Sequence, residues 1–259
     1  MKKLTASLFI YATLSASMLL SSCGDSTKKQ NPPSDVVEQN SMFTSELVSL
    51  ASDSSVHWLT PGLLVLPKSN KEVLYQLLNT STTDFDALVL SKVALPEHLA
   101  KKFPHLADFQ AYKVDLSPSQ VKAWLKQQLL VVAFDRSHQA QNVSFVQTGS
   151  VIDALFTQGD NDANEETNLG AKVTEKGVIF KLWAPTAQEA KLLLFNDDLS
   201  LFESSNLTMV EDTNSGVWSV VGDSSLNGTY YQYQITVYHP QSKQVETLIT
   251  TDPYSLSLS

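Results

Sequence analysis

The chain has 259 residues with 27 acidic and 18 basic side chains, a formal net charge of −9 and a single cysteine. Because an acidic chain repels polyphosphate, the composition argues against nucleic acid as a partner. A neutral polymer is indifferent to this charge, so a sugar ligand is permitted but not indicated. One cysteine cannot form an intramolecular disulfide, and the fold must therefore rely on its hydrophobic core.

The N-terminus has the layout of a secretory signal peptide. Lys2 and Lys3 precede an uncharged stretch, residues 4–20, and a lipobox follows, Leu20-Ser21-Ser22-Cys23. This order predicts cleavage after residue 22 and lipid attachment at Cys23. An uncleaved membrane helix is the alternative, but the apolar stretch is slightly short of the roughly 20 residues that a span needs.

The predicted lipoprotein would be held at the cell envelope, since several acyl chains together form a durable anchor. Gly24 follows the cysteine where an aspartate would favour inner-membrane retention, so the outer membrane is the expected location. Cleavage removes two lysines, which leaves 237 residues with 16 basic and 27 acidic side chains, a net charge of −11. That length suits about two domains.

Residues 23–54 are polar and predict a tether, with a short helix expected at residues 42–50. Residues 55–158 predict a strand-rich domain with small helical insertions. Apolar runs bounded by turn residues predict strands at 62–67, 73–78, 86–94 and 129–134. The continuous run at 129–134 indicates a central strand. Short helices are expected at 96–109 and at 117–125.

The second of these helices has clear start signals. Ser117 suits the N-cap and Pro118 the first helical position, after which Val121, Trp124 and Leu125 fall on one face. Trp124 is therefore expected in the core.

Residues 159–168 are acidic and poor in apolar side chains, which predicts a solvated, protease-sensitive linker. The run Asp160-Asn161-Asp162-Ala163-Asn164 resembles the start of a calcium loop. Glu165 replaces the turn glycine and Ala171 the bidentate glutamate, so no metal site is expected.

Residues 169–259 contain short apolar segments at regular spacing, separated by turn signals. Six strands are expected, and this pattern predicts an immunoglobulin-like β-sandwich. They lie at residues 177–183, 190–195, 206–210, 216–221, 231–237 and 244–250. The mainly β fold class follows from both regions.

Several motifs resemble a known family. Lys181-Leu182-Trp183-Ala184-Pro185-Thr186-Ala187-Gln188 resembles the opening strand of the family-48 carbohydrate-binding module. Gly216-Val217-Trp218 and Gly228-Thr229-Tyr230-Tyr231-Gln232-Tyr233 resemble its later strands. The upstream domain is similar to that of bacterial type I pullulanases. Its matching pieces are Val56-His57-Trp58, Leu63-Leu64-Val65-Leu66-Pro67 and Phe103-Pro104-His105-Leu106-Ala107. In that family, a passage similar to residues 238–259 forms the end of the module, and the catalytic barrel follows it.

The resemblance implies the N-terminal, non-catalytic portion of a lipid-anchored enzyme that debranches α-1,6-linked starch, glycogen or pullulan. A downstream barrel would be its partner. The family's barrel needs on the order of 250 residues, so the chain alone is expected to have no catalytic residues, no cofactor and no hydrolytic activity. The alternative is a free-standing surface lipoprotein that binds α-glucan without catalysis.

The resemblance transfers a sugar site only in part. Glycogen-binding modules stack sugar on exposed tryptophans, one after the second strand and one in a late hairpin. The corresponding places here are 195–198 and 238–241, and neither contains tryptophan. Tyr238 is the aromatic candidate for carbohydrate binding. Trp183 and Trp218 lie within strands and are expected to pack in the core or against a neighbouring domain.

Overall fold

The computed structural model describes residues 46–80 and 85–255. The predicted lipid-attachment residue, Cys23, and tether residues 23–45 lie outside the described residues. Residues 46–50 are helical (α1), and they form the described half of the short helix expected at 42–50. No helix in the described part of the chain is long and apolar enough to cross a membrane.

The first domain is an eight-stranded sheet with short helices on both faces. Its strands are β1 Asp53–Thr60, β2 Leu63–Leu66, β3 Leu74–Thr80, β4 Phe85–Val89, β5 Ser91–Val93, β6 Gln110–Lys113, β7 Leu129–Phe134 and β8 Ala140–Gln147. Its further helices are α2 Glu97–Lys102, α3 Pro118–Trp124 and α4 Gly149–Phe156. The expected strand-rich domain with helical insertions is confirmed.

The strand order is β4-β3-β7-β8-β1-β2-β6-β5. β1 runs parallel to β8, and every other neighbouring pair is antiparallel. All six residues of β7 are buried, as expected for a central strand, because both faces of the sheet are covered. Leu129 and Val131 point towards α3 and α4, whereas Leu130, Val132 and Phe134 point towards α1.

The start signals of α3 act as predicted. The Gln120 backbone N–H donates to Ser117 Oγ, and the Ser117 N–H donates to Gln120 Oε1, at 3.3 and 2.9 Å. This capping box satisfies backbone donors that the first helical turn leaves unpaired. Trp124 is buried in the core together with Val121, which confirms the predicted inner face of the helix.

The second domain is a β-sandwich of two four-stranded antiparallel sheets. Its strands are β9 Gly170–Thr174, β10 Gly177–Trp183, β11 Ala187–Phe195, β12 Leu201–Thr208, β13 Val210–Asp212, β14 Val217–Gly222, β15 Tyr230–His239 and β16 Gln244–Thr250. One sheet has the order β13-β14-β10-β9 and the other β12-β11-β15-β16. Phe180 and Trp218 of the first sheet pack against Leu192 and Tyr233 of the second.

The single strand expected at 206–210 is two strands in different sheets. Met209 lies between them, its side chain is buried in the sandwich core, and its N–H donates to the carbonyl of Ala190. The chain therefore crosses from one sheet to the other at Met209. This crossing places β12 beside β11 and β13 beside β14.

Candidate functional site

The sandwich opens at one end into a cleft of about 660 Å³, which lies within the range of about 300–1,000 Å³ typical of ligand pockets. Tyr230 and Tyr254 line it, and each is 41% exposed. Phe180 and Tyr231 form its floor, where their ring centroids lie 4.9 Å apart in an edge-to-face arrangement. The β11–β12 turn adds Leu199, which has a positive φ of 63°.

Asp252 locks the wall of the cleft that carries Tyr254. Its carboxylate is buried and accepts hydrogen bonds from the Tyr231 hydroxyl at 2.5 Å and the Tyr254 backbone N–H at 2.8 Å. Burial, followed by the Asp252 carboxylate, raises the pKa of Tyr231, so its hydroxyl stays protonated and donates. Tyr254 therefore sits on a backbone turn held by a buried side chain.

Gly170 makes this arrangement possible. Its φ is +88°, and an added Cβ would lie 3.1 Å from the Tyr254 Cβ and 3.3 Å from Asp252 Oδ2. Any larger side chain at this position would press on both residues and strain its own backbone.

Tyr238 lies elsewhere, near the end of β15 that faces the first domain. Its hydroxyl accepts a hydrogen bond from Gln128 Nε2 at 2.6 Å, and its ring is half-buried. Burial raises the pKa of Tyr238, an effect that the hydrogen bond from Gln128 opposes. The hydroxyl of Tyr238, the residue predicted to bind sugar, is thus hydrogen-bonded to the first domain.

The two places expected to correspond to the tryptophan sites are far apart. In the β11–β15 register, Phe195 pairs with Tyr230 and Ala187 with Val237. Residues 195–198 are therefore at one end of the sheet and residues 238–241 at the other, separated by seven residues of β15, or about 23 Å at 3.3 Å per residue. They cannot form one contiguous site.

The tryptophans pack as the sequence predicts. Trp218 is buried in the sandwich core and donates from Nε1 to the Ala184 carbonyl at 3.0 Å. Trp183 packs against the core of the first domain, and its Nε1 donates to the Ser215 carbonyl at 3.0 Å. Trp58 and Trp124 are buried in the first domain. Three of the four tryptophans are thus buried, and Trp183 is half-buried.

The family models match two successive regions. Residues 53–154 match the pullulanase N2 domain, and residues 168–255 match carbohydrate-binding module 48, the isoamylase N-terminal domain. The two domains belong to these two families. The resemblance expected from the sequence is confirmed, and the chain is homologous to the N-terminal, non-catalytic region of pullulanases.

Individual relatives agree with this assignment. The chain is 30% identical over 216 residues to a Klebsiella pneumoniae pullulanase, covering 80% of this chain and 19% of the relative. It is 34% identical over 166 residues to the chloroplastic pullulanase 1 of Arabidopsis thaliana, covering 64% of this chain and 16% of the relative. The structure of K. pneumoniae pullulanase in complex with maltotriose superimposes with a TM-score of 0.71 at 28% identity, covering 79% of this chain and 22% of that one. The chain thus spans about a fifth of these pullulanases.

The N2 domain and the module share a polar interface built around Lys126. The Lys126 ammonium lies 2.5 Å from Glu211 Oε2, with both side chains largely shielded, and 5.2 Å from the centroid of the Trp218 ring. Gln188 of the module donates from Nε2 to the Lys126 carbonyl at 2.8 Å. Lys122, one turn earlier, donates to the carbonyls of residues 213 and 214.

Most residues of the segment between the N2 domain and the module, 159–168, are exposed, and one buried acidic side chain holds part of the segment in place. Asp162 is buried, and its carboxylate accepts from the backbone N–H groups of Gly159 and Asn164 at 2.6 and 2.9 Å. Asn214 of the module donates to the Asn161 carbonyl at 2.5 Å. In residues 46–80 and 85–255, no group of three or more His, Cys, Asp or Glu side chains is arranged to hold a metal ion.

Proposed function

We propose that this chain is the N-terminal, glucan-positioning portion of a pullulanase-type enzyme that cleaves α-1,6 links in starch, glycogen or pullulan. The observation that carries the proposal is the order of two matched domains, an N2 domain followed by a family-48 module. Their shared interface supports it, because a direct contact between them lets one hold the other in a fixed orientation. Hydrolysis would be carried out by a barrel encoded downstream.

The module's part in this function would be to bind α-glucan. Its family supports this role, and one of the similar structures is a pullulanase complex with maltotriose. Binding a neutral polymer requires no cofactor and no metal.

The N-terminal part of the chain would tether this assembly to the cell envelope. The lipobox supports lipid attachment at Cys23, and Gly24 favours the outer membrane. The polar residues between the lipid and the N2 domain would keep the folded part clear of the headgroups.

Three measurements test the proposal together. The in-frame DNA following the codon of Ser259 should continue into a catalytic barrel, and the extended polypeptide should release reducing ends from pullulan. The 259-residue chain alone should release none. Its migration in a native gel should nevertheless be retarded by soluble starch.

Each part of the proposal can be refuted separately. Hydrolysis of pullulan by the pure 259-residue protein would overturn the non-catalytic role. An immediate stop codon, combined with a stable and exported protein retarded by starch, would favour a free-standing glucan-binding lipoprotein. Absence of retardation by any α-glucan would overturn binding by the module.

A further inference from the structure

We propose that the open cleft of the module, with Tyr230 and Tyr254 as its stacking faces, is the α-glucan-binding site. This inference rests on the proposed function, because it locates the sugar that the module is proposed to bind. It moves the site from Tyr238 to the far end of the same strand.

The first argument is the distribution of exposed aromatic side chains. A sugar ring needs a flat apolar face that solvent can reach, and the tryptophans are occupied in packing. Among the described side chains, the exposed phenylalanines and tyrosines are Phe202, Tyr230 and Tyr254. Two of these three line one cleft. Tyrosines that present an apolar ring and a polar tip suit a ligand that is apolar on its faces and polar at its edges.

The second argument is charge. Among the described residues that line the cleft, Asp252 carries the one charged side chain, and Tyr231 and the Tyr254 N–H engage its carboxylate. The remaining polar side chains are neutral hydroxyls and amides: Asn227, Thr229, Tyr230, Tyr231, Gln232, Thr251, Tyr254 and Ser255. Such groups can exchange hydrogen bonds with sugar hydroxyls. An anionic ligand would enter the cleft without a countercharge, which carries a desolvation cost.

The third argument is preorganisation. The buried Asp252 carboxylate holds the turn that carries Tyr254, and Tyr230 is the first residue of β15, where it pairs with Phe195 of β11. Both rings therefore stand on backbone that is ordered before a ligand arrives. A site of this kind loses little conformational entropy on binding.

The test is the affinity of the full chain for maltohexaose, measured by calorimetry. Replacing Tyr230→Ala or Tyr254→Ala should weaken binding about tenfold, equivalent to about 1.4 kcal/mol, whereas Tyr230→Phe should retain the stacking face and most of the affinity. Phe202→Ala is the matched control, since it removes an exposed aromatic ring that does not line the cleft. That variant and Tyr238→Phe should remain within about twofold of the parent chain.

A second readout does not depend on variants. In a maltohexaose titration followed by NMR, the side-chain amides of Asn227 and Gln232 should shift, while that of Asn214, at the domain interface, should not. Binding that is unchanged in both Tyr→Ala variants, with no shift of the cleft amides, would overturn this site and leave glucan binding by the module intact. Absence of binding by the parent chain would overturn the proposed glucan binding and this inference together.

Discussion

Replacing Glu211→Gln should weaken the contact between the N2 domain and the module. Glu211 is 2.5 Å from the Lys126 ammonium, and the two side chains are 15% and 19% exposed, respectively. The substitution keeps the shape of the side chain and removes its charge. Lys126 would then remain largely shielded beside the Trp218 ring without its carboxylate partner.

The expected cost lies between two limits. Exposed ion pairs contribute about 0–1 kcal/mol, and removing one partner of a fully buried pair costs about 3–5 kcal/mol. Because this pair is mostly but not fully shielded, we expect the free energy of unfolding to fall by about 2 kcal/mol. For a chain of this size, that loss corresponds to a decrease in Tm of about 4–8 °C.

Urea and thermal unfolding of the full chain would measure the loss. Glu97→Gln is the matched control, because it removes the pair with Lys101, in which the side chains are 81% and 74% exposed. That control should cost less than about 0.5 kcal/mol. In a double-mutant cycle with Lys126→Met, the two interface substitutions should be clearly non-additive. Equal costs for the two glutamate variants, or additive effects in the cycle, would refute the reasoning.

Four further predictions concern other residues. Radiolabelled palmitate should enter the parent chain but not Cys23→Ala, and equal labelling would disprove lipidation there. Gly177→Ala should lower the free energy of unfolding by at least about 2 kcal/mol, because φ is +131° and the new Cβ would lie 2.1 Å from a carbonyl oxygen; an unchanged Tm would contradict this. The hydrogen bond from the Ser215 hydroxyl, opposed by burial, lowers the pKa of Asp212 below 3.8 in the folded chain. The Asp212 carboxylate therefore contributes its full stabilisation of the fold above pH 3.8, and this contribution is lost as the pH falls through the lower folded-state pKa. The difference in the free energy of unfolding between the parent and Asp212→Asn should therefore be constant near neutral pH and shrink below pH 3.8. A difference that grows in acid would contradict this prediction. A glutamate-specific protease should cut slowly within residues 159–168 and faster in Asp162→Ala, because the Asp162 carboxylate holds the backbone of this segment. Rapid cutting of the parent chain would instead support the protease-sensitive linker expected from the composition.

Several elements could be predicted because their signals are local. The apolar run at 129–134 and the bounds of β16 at 244–250 match the structure, and the capping box at Ser117 forms as expected. Strand β8 was missed although Val143 and Phe145 alternate with polar neighbours, a period-two signal that could have revealed it. Strand β1 was also missed, because its burial depends on β2 and β8, which pair with it from distant parts of the chain.

The order of residues along the chain by itself determined the fold class and most of the strands, since hydrophobic period, turn residues and caps act over a few neighbours. The two domain families were indicated by short motifs that resemble known sequences. The tertiary structure alone decided what Tyr230, Tyr238 and Tyr254 contact. Gln128 is 110 positions from Tyr238 and binds its hydroxyl. Tyr230 and Tyr254 are 24 residues apart and share one cleft because Asp252 accepts hydrogen bonds from both the Tyr231 hydroxyl and the Tyr254 backbone. Such contacts depend on sheet register and on long-range packing, for which no local pattern of residues carries a signal.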